Sequence, residues 1–117
     1  MSKTIVSVLS IVLILVGALG FFSDPLLGIF EVDPLHNIVH LLTGVLGLLA
    51  ITMEWEQLFS RIFGVVYALV AVMGFWMGGI MLGMEMNMAD NVLHLILALV
   101  FLYLGFMAAS EESTPSM

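Results

Sequence analysis

Four apolar stretches, parted by short polar breaks, organise the chain. Residues 4–22 carry no charge, and apolar runs return at 34–53, 58–83 and 89–109. Each is near the ~20 residues that a helix needs to cross the hydrocarbon of a bilayer. The breaks carry helix signals of their own. Asp33 is an N-cap and Pro34 fits the first turn that follows it. Asn87 or Asp90 caps the fourth run. Within the first break, Asp24-Pro25 followed by Leu26, Leu27, Ile29 and Phe30 predicts a short helix lying flat at the interface. Glu54-Trp55-Glu56-Gln57 is a polar turn with an interfacial Trp, and 110–117 is a polar tail expected to be disordered. The expected architecture is all-α: one integral membrane four-helix bundle over residues 1–109.

The second helix shows which way such a bundle faces. Asn37, His40, Gly44 and Gly47 fall at i, i+3, i+7 and i+10 and share one face, while Ile38, Val39, Leu42, Val45 and Leu46 fill the rest. In water this pattern is inside out. In a membrane it describes a helix whose polar and small side touches other helices. Gly17 and Gly20 on the first helix, and Gly74, Gly78, Gly79 and Gly83 on the third, mark further places for close packing. Gly44, Gly47, Gly74 and Gly78 are the expected packing glycines.

Composition makes lipid the required solvent. Apolar residues make up 62% and charged residues 9%, with mean hydropathy +1.23. Soluble domains average about 45–50% and about 25%, so this chain lacks the polar surface to cover a core. A net charge of −7, with Lys3 and Arg61 the sole Lys and Arg, argues against nucleic acid as a partner. The absence of Cys removes disulfides and thiolate chemistry. The first apolar run exceeds the usual signal-peptide core and lacks a following Ala-x-Ala, which predicts a retained helix. Four spans put both termini on one side together with Arg61, and the positive-inside rule makes that side cytoplasmic in a cell membrane.

A repeat lies beneath the hydrophobicity. Shifted by 54 residues, Asn37-Ile38-Val39-His40-Leu41 lies on Asn91-Val92-Leu93-His94-Leu95, and Glu31 lies on Glu85. Matches of Leu and Val are expected in any membrane chain. Matches of Asn to Asn and His to His are not, in a chain holding three of each. Each half is a two-helix hairpin, so the halves are parallel repeats about an axis along the membrane normal. His40 and His94 then lie at equal depth, about 10 Å inside their caps. The run Leu35-His36-Asn37-Ile38-Val39-His40-Leu41-Leu42-Thr43-Gly44, followed by Asp90-Asn91-Val92-Leu93-His94, resembles the uncharacterised membrane family called domain of unknown function 4383. The resemblance implies the four-helix fold over nearly the whole chain and carries no activity with it.

Polar groups at membrane depth are where function is sought. The structural reading is a symmetric contact in which Asn37 and His40 bond Asn91 and His94 across the axis. Such bonds are each worth about 0.6–2 kcal/mol in a membrane, but they fix register. On this reading the protein is non-enzymatic and holds no cofactor, alone or as a homo-oligomer or a companion to another membrane protein. A second reading is ligation. His36 and His40 are i, i+4, His94 supplies a third nitrogen, and Asp90 is a fourth ligand or orients a histidine around a divalent metal. A related version places haem b between His40 and His94. A third reading is a small oligomeric transporter or channel, since 117 residues leave a monomer little room for a pathway. Met84, Met86 and Met88 hint at soft-metal capture, although Met is also ordinary apolar filler. No Ser-His-Asp set, phosphate-binding Gly loop or intramembrane carboxylate pair is present.

Overall fold

The computed structural model describes residues 2–22, 33–77, 80–81 and 84–108. Its four helices are α1 (Ser2–Gly20), α2 (Pro34–Thr52), α3 (Glu56–Met77) and α4 (Met88–Leu102), the last continuing through a π-helical turn, Tyr103–Ala108. All four are long and apolar enough to cross a membrane, at about 28–33 Å from the rise of 1.5 Å per residue. The chain is a multi-pass membrane protein with a helical bundle fold. The interfacial helix expected at 24–30 and the tail at 110–117 lie outside the described residues.

Local chemistry sets the helix ends. The Asp33 side chain accepts from the His36 backbone N–H at 2.8 Å, and Pro34 begins α2. Asn87 caps α4 and Asp90 answers it. The Asp90 N–H donates to Asn87 Oδ1 at 2.9 Å, and the Asn87 N–H donates to Asp90 Oδ2 at 3.0 Å. That reciprocal pair satisfies two amides that would otherwise have no acceptor in a poor solvent for them. α2 ends in a Schellman arrangement: the Trp55 N–H donates to Ala50 O, the Glu54 N–H donates to Ile51 O, and Glu54 takes φ 61°.

The third helix is shorter than its apolar run. α3 stops at Met77, and Ile80–Met81 pairs antiparallel with Met84–Glu85 in a two-residue ladder. The expectation of helix to residue 83 is corrected here. Gly78 and Gly79 follow Met77 directly, and glycine is a poor helix former. The 22 residues of α3 also already span the hydrocarbon core. Gly78, an expected packing residue, lies outside the described residues.

α1 packs antiparallel on α2, and α3 on α4, with far thinner contact between the two hairpins. The buried stripes are small and polar. In α1 they include Ser10, Gly17 and Gly20; in α2, His36, Asn37, His40, Thr43, Gly44 and Gly47. Large aliphatics such as Leu42, Leu69, Val72 and Leu99 point outward. This is the inside-out arrangement that lipid demands. Buried positions from Val6 to Gly20 recur 54 residues on in α3, and every buried position of α2 has a buried counterpart in α4 and its π turn.

Both ends are tied. At the end where the chain starts, Lys3 pairs with Glu54 at 3.4 Å. There too Arg61 Nε donates to the Gly105 carbonyl at 2.8 Å, and the guanidinium lies 5.3 Å from the Phe106 ring centroid. Gly105 permits this approach, because a Cβ there would stand 2.8 Å from the Arg61 backbone nitrogen. Arg61 is therefore a clamp between the start of α3 and the π turn that ends α4.

Gly44 shows how closely the first hairpin is seated. A Cβ at that position would lie 2.6 Å from the Ser10 carbonyl oxygen and 3.0 Å from the Ile14 nitrogen. Backbone cannot swing aside as a side chain can. Gly44→Leu is therefore expected to cost about 1–3 kcal/mol by overpacking. Leu42→Ala, on the exposed face, is expected to stay within about 0.5 kcal/mol. Reversible unfolding in detergent measures both.

Candidate functional site

The three histidines of the chain meet in one place. His36 and His40 come from α2, one turn apart, and their ring centroids are 4.3 Å apart. His94 reaches in from α4, 5.6 Å from His36 and 6.1 Å from His40. The exposures of His36, His40 and His94 are 2%, 3% and 1%. Choosing one ring nitrogen from each gives three donor atoms all within 4.8 Å of one another. Hairpin packing holds the helices at the depth where this happens.

A cavity of about 60 Å³ opens beside the rings. Besides the histidines it is lined by Val39, Thr43, Phe63, Tyr67, Met84 and Met86, among others, and no carboxylate is among the described residues that line it. Tyr67 stacks on His94 with centroids 5.6 Å apart and an interplanar angle of 28°, and its hydroxyl faces Thr43. The Thr43 hydroxyl donates to the Val39 carbonyl at 2.8 Å, an i−4 bond that keeps the group inside its own helix. Met84 and Met86, with Val39, Val70 and Met73 packed on them, form the wall nearest the α3–α4 connection.

No hydrogen bond is found between Asn37 or His40 and Asn91 or His94 among the described residues. Both ring nitrogens of His40, Nδ1 of His94, and the Oδ1 atoms of Asn37 and Asn91 are buried without a hydrogen-bond partner. The asparagines are seated within their own hairpins. Asn37 Oδ1 lies over Gly20 and Asn91 Oδ1 over Gly74, each against the hydrogen that a Cβ would replace. These two contacts are related by the same 54-residue shift as the histidines. So Gly20, which had been read only as a general packing residue, has a defined partner, as does Gly74. Asp90 is buried one turn above His94, but its carboxylate serves the cap of α4 and it is not one of the clustered donors. Gly47 lies against Ser10 Oγ of α1 and so packs the hairpin.

Tyr67, Thr43 and Phe63 were not among the residues expected to build a site. Tyr67 takes the place that Leu13 holds in the first half under the 54-residue shift, and that departure from symmetry was its one signal.

Buried imidazole without hydrogen bonds is an unstable arrangement by ordinary accounting. Leaving one buried polar group unsatisfied costs about 1–3 kcal/mol. In metal-free protein, His40→Leu is accordingly expected to leave the unfolding temperature unchanged or raised. A fall of several degrees in chelator-treated protein would mean that His40 makes a stabilising polar contact after all.

The chain matches the family model described as Domain of unknown function (DUF4383) over residues 3–107. No curated protein and no solved structure matches it. The match takes in α1, α2, α3 and nearly all of α4 with its π turn, and with them every residue of the three-histidine site. The chain belongs to the DUF4383 family.

Proposed function

We propose that this protein is a non-enzymatic multi-pass membrane protein that holds a single transition-metal ion between its two hairpins, on His36, His40 and His94. The observation carrying this reading is the convergence of three buried imidazole donors within 4.8 Å of one another. The donors on a tetrahedral ion with metal–nitrogen bonds of 2.0–2.1 Å stand about 3.3 Å apart. Closing that difference requires the imidazoles to turn towards a common point. An ion would also satisfy the His40 nitrogen that faces it, which no protein group does. Two ligands from one hairpin and one from the other make the ion a rivet between units that otherwise touch sparingly.

The histidine geometry favours an ion over haem b. The His36 ring lies 4.3 Å from His40 and 5.6 Å from His94, in the region that a macrocycle held by those two residues would need. A cavity of about 60 Å³ suits an ion with a water or two. The coincidence of buried positions between the halves supports reading the bundle as two parallel repeats. On that reading the metal site is where the repeats diverge, since His40 and His94 correspond while His36 corresponds to Asp90.

Chelator-stripped protein dialysed against zinc is expected to take up one equivalent, measured by elemental analysis. His40→Leu and His94→Leu should each reduce that to a small fraction. Binding should raise stability by about 2.7 kcal/mol at one hundred times the dissociation constant, and the variants should lose this gain. Uptake that is absent in the wild type, or unchanged in a His36, His40, His94 triple Leu variant, would overturn the proposal.

A further inference from the structure

We infer that the site is built for monovalent copper, with the thioethers of Met84 and Met86 completing it. The inference rests on the three-histidine reading and adds the identity of the ion.

Charge is the first argument. The described residues lining the cavity bring three imidazoles, two thioethers, a phenol, a threonine and hydrocarbon. The nearest buried carboxylate in sequence, Asp90, has its Oδ2 engaged by the Asn87 N–H. The cost of moving an ion from water into a low-dielectric interior grows with the square of its charge. A dication with only neutral ligands therefore faces about four times the penalty of a monocation. A site for a dication at membrane depth would want an anionic ligand, and none stands among the described residues that line this cavity.

Ligand softness is the second argument. Imidazole serves several transition metals, but thioether sulfur selects soft ions, copper(I) above all. Met84 and Met86 are both buried, and both line the cavity that the histidines line. They come from the segment joining α3 to α4, where the ladder of Ile80–Met81 with Met84–Glu85 fixes the backbone. Met73 packs on them from α3. They stand on the side of the site towards the end where α2 and α4 begin. An ion arriving from that side meets thioether before imidazole.

The test compares two ions on the full chain in detergent. Copper(I) affinity is measured anaerobically by competition with a chromogenic copper(I) chelator, and zinc affinity by competition with a zinc indicator. The double variant Met84→Leu with Met86→Leu conserves volume. It is expected to weaken copper(I) at least tenfold while leaving zinc within twofold. Met86→Leu alone, the milder change, should show part of the same selective loss, and its unfolding temperature without metal reports whether the fold is kept. Copper X-ray absorption of the wild type should contain a sulfur scatterer that the double variant lacks. Equal losses for both ions, no loss for either, or no sulfur at copper would overturn the copper assignment and leave the three-histidine site standing. Failure of both ions to bind in a histidine-dependent way would overturn the metal reading as a whole.

Discussion

The arrangement depends on backbone-to-backbone approach through glycine within each hairpin. Lipid supplies no hydrophobic drive to press two apolar helices together, so close packing and fixed polar contacts must do it. Gly20 against Asn37 and Gly74 against Asn91 supply that close packing. A side chain at either glycine would meet the amide oxygen, so each contact fixes how far one helix slides along its partner. That register places His40 one turn inside Asn37, and His94 one turn inside Asn91. His40 and His94 thus hold matching positions in the two hairpins, with their ring centroids 6.1 Å apart.

The same logic explains why polar groups concentrate where they do. Backbone amides at the helix starts are satisfied locally, by Asp33 on α2 and by the Asn87–Asp90 pair on α4. Asp90 serves the cap of α4, and no carboxylate stands among the described residues that line the cavity. Among the described residues the hairpins meet through few contacts, chiefly His36 and His40 with His94, Phe59 at Gly47, and Met84 and Met86 with Val39. An ion shared between hairpins would therefore add most where the protein itself contributes least.

Much of this was legible in the sequence because lipid imposes a simple code. Apolar run lengths predicted four spanning helices, Asp33-Pro34 predicted the start of α2, and the small polar stripe of residues 37–47 predicted its inward face. The end of α3 was not legible, since the apolar run continues through Gly78 and Gly79 although the helix does not. The partner of each asparagine was also hidden. The 54-residue shift pairs Asn37 with Asn91, which suggested a contact between them, whereas a repeat equally allows each copy to make the same contact inside its own hairpin. Side-chain reach decides between these, and a one-dimensional pattern does not carry it. His36 and His40 were paired by helical spacing alone, but the convergence of His94 on both required the three-dimensional packing.

The most direct test is nuclear magnetic resonance of chelator-stripped protein with ring-15N histidine, titrated with zinc in detergent. All three imidazoles should shift together and saturate at one equivalent, since the chain contains no others. Ring nitrogens that stay in place at one equivalent, or that respond one at a time over several, would contradict a shared three-histidine centre.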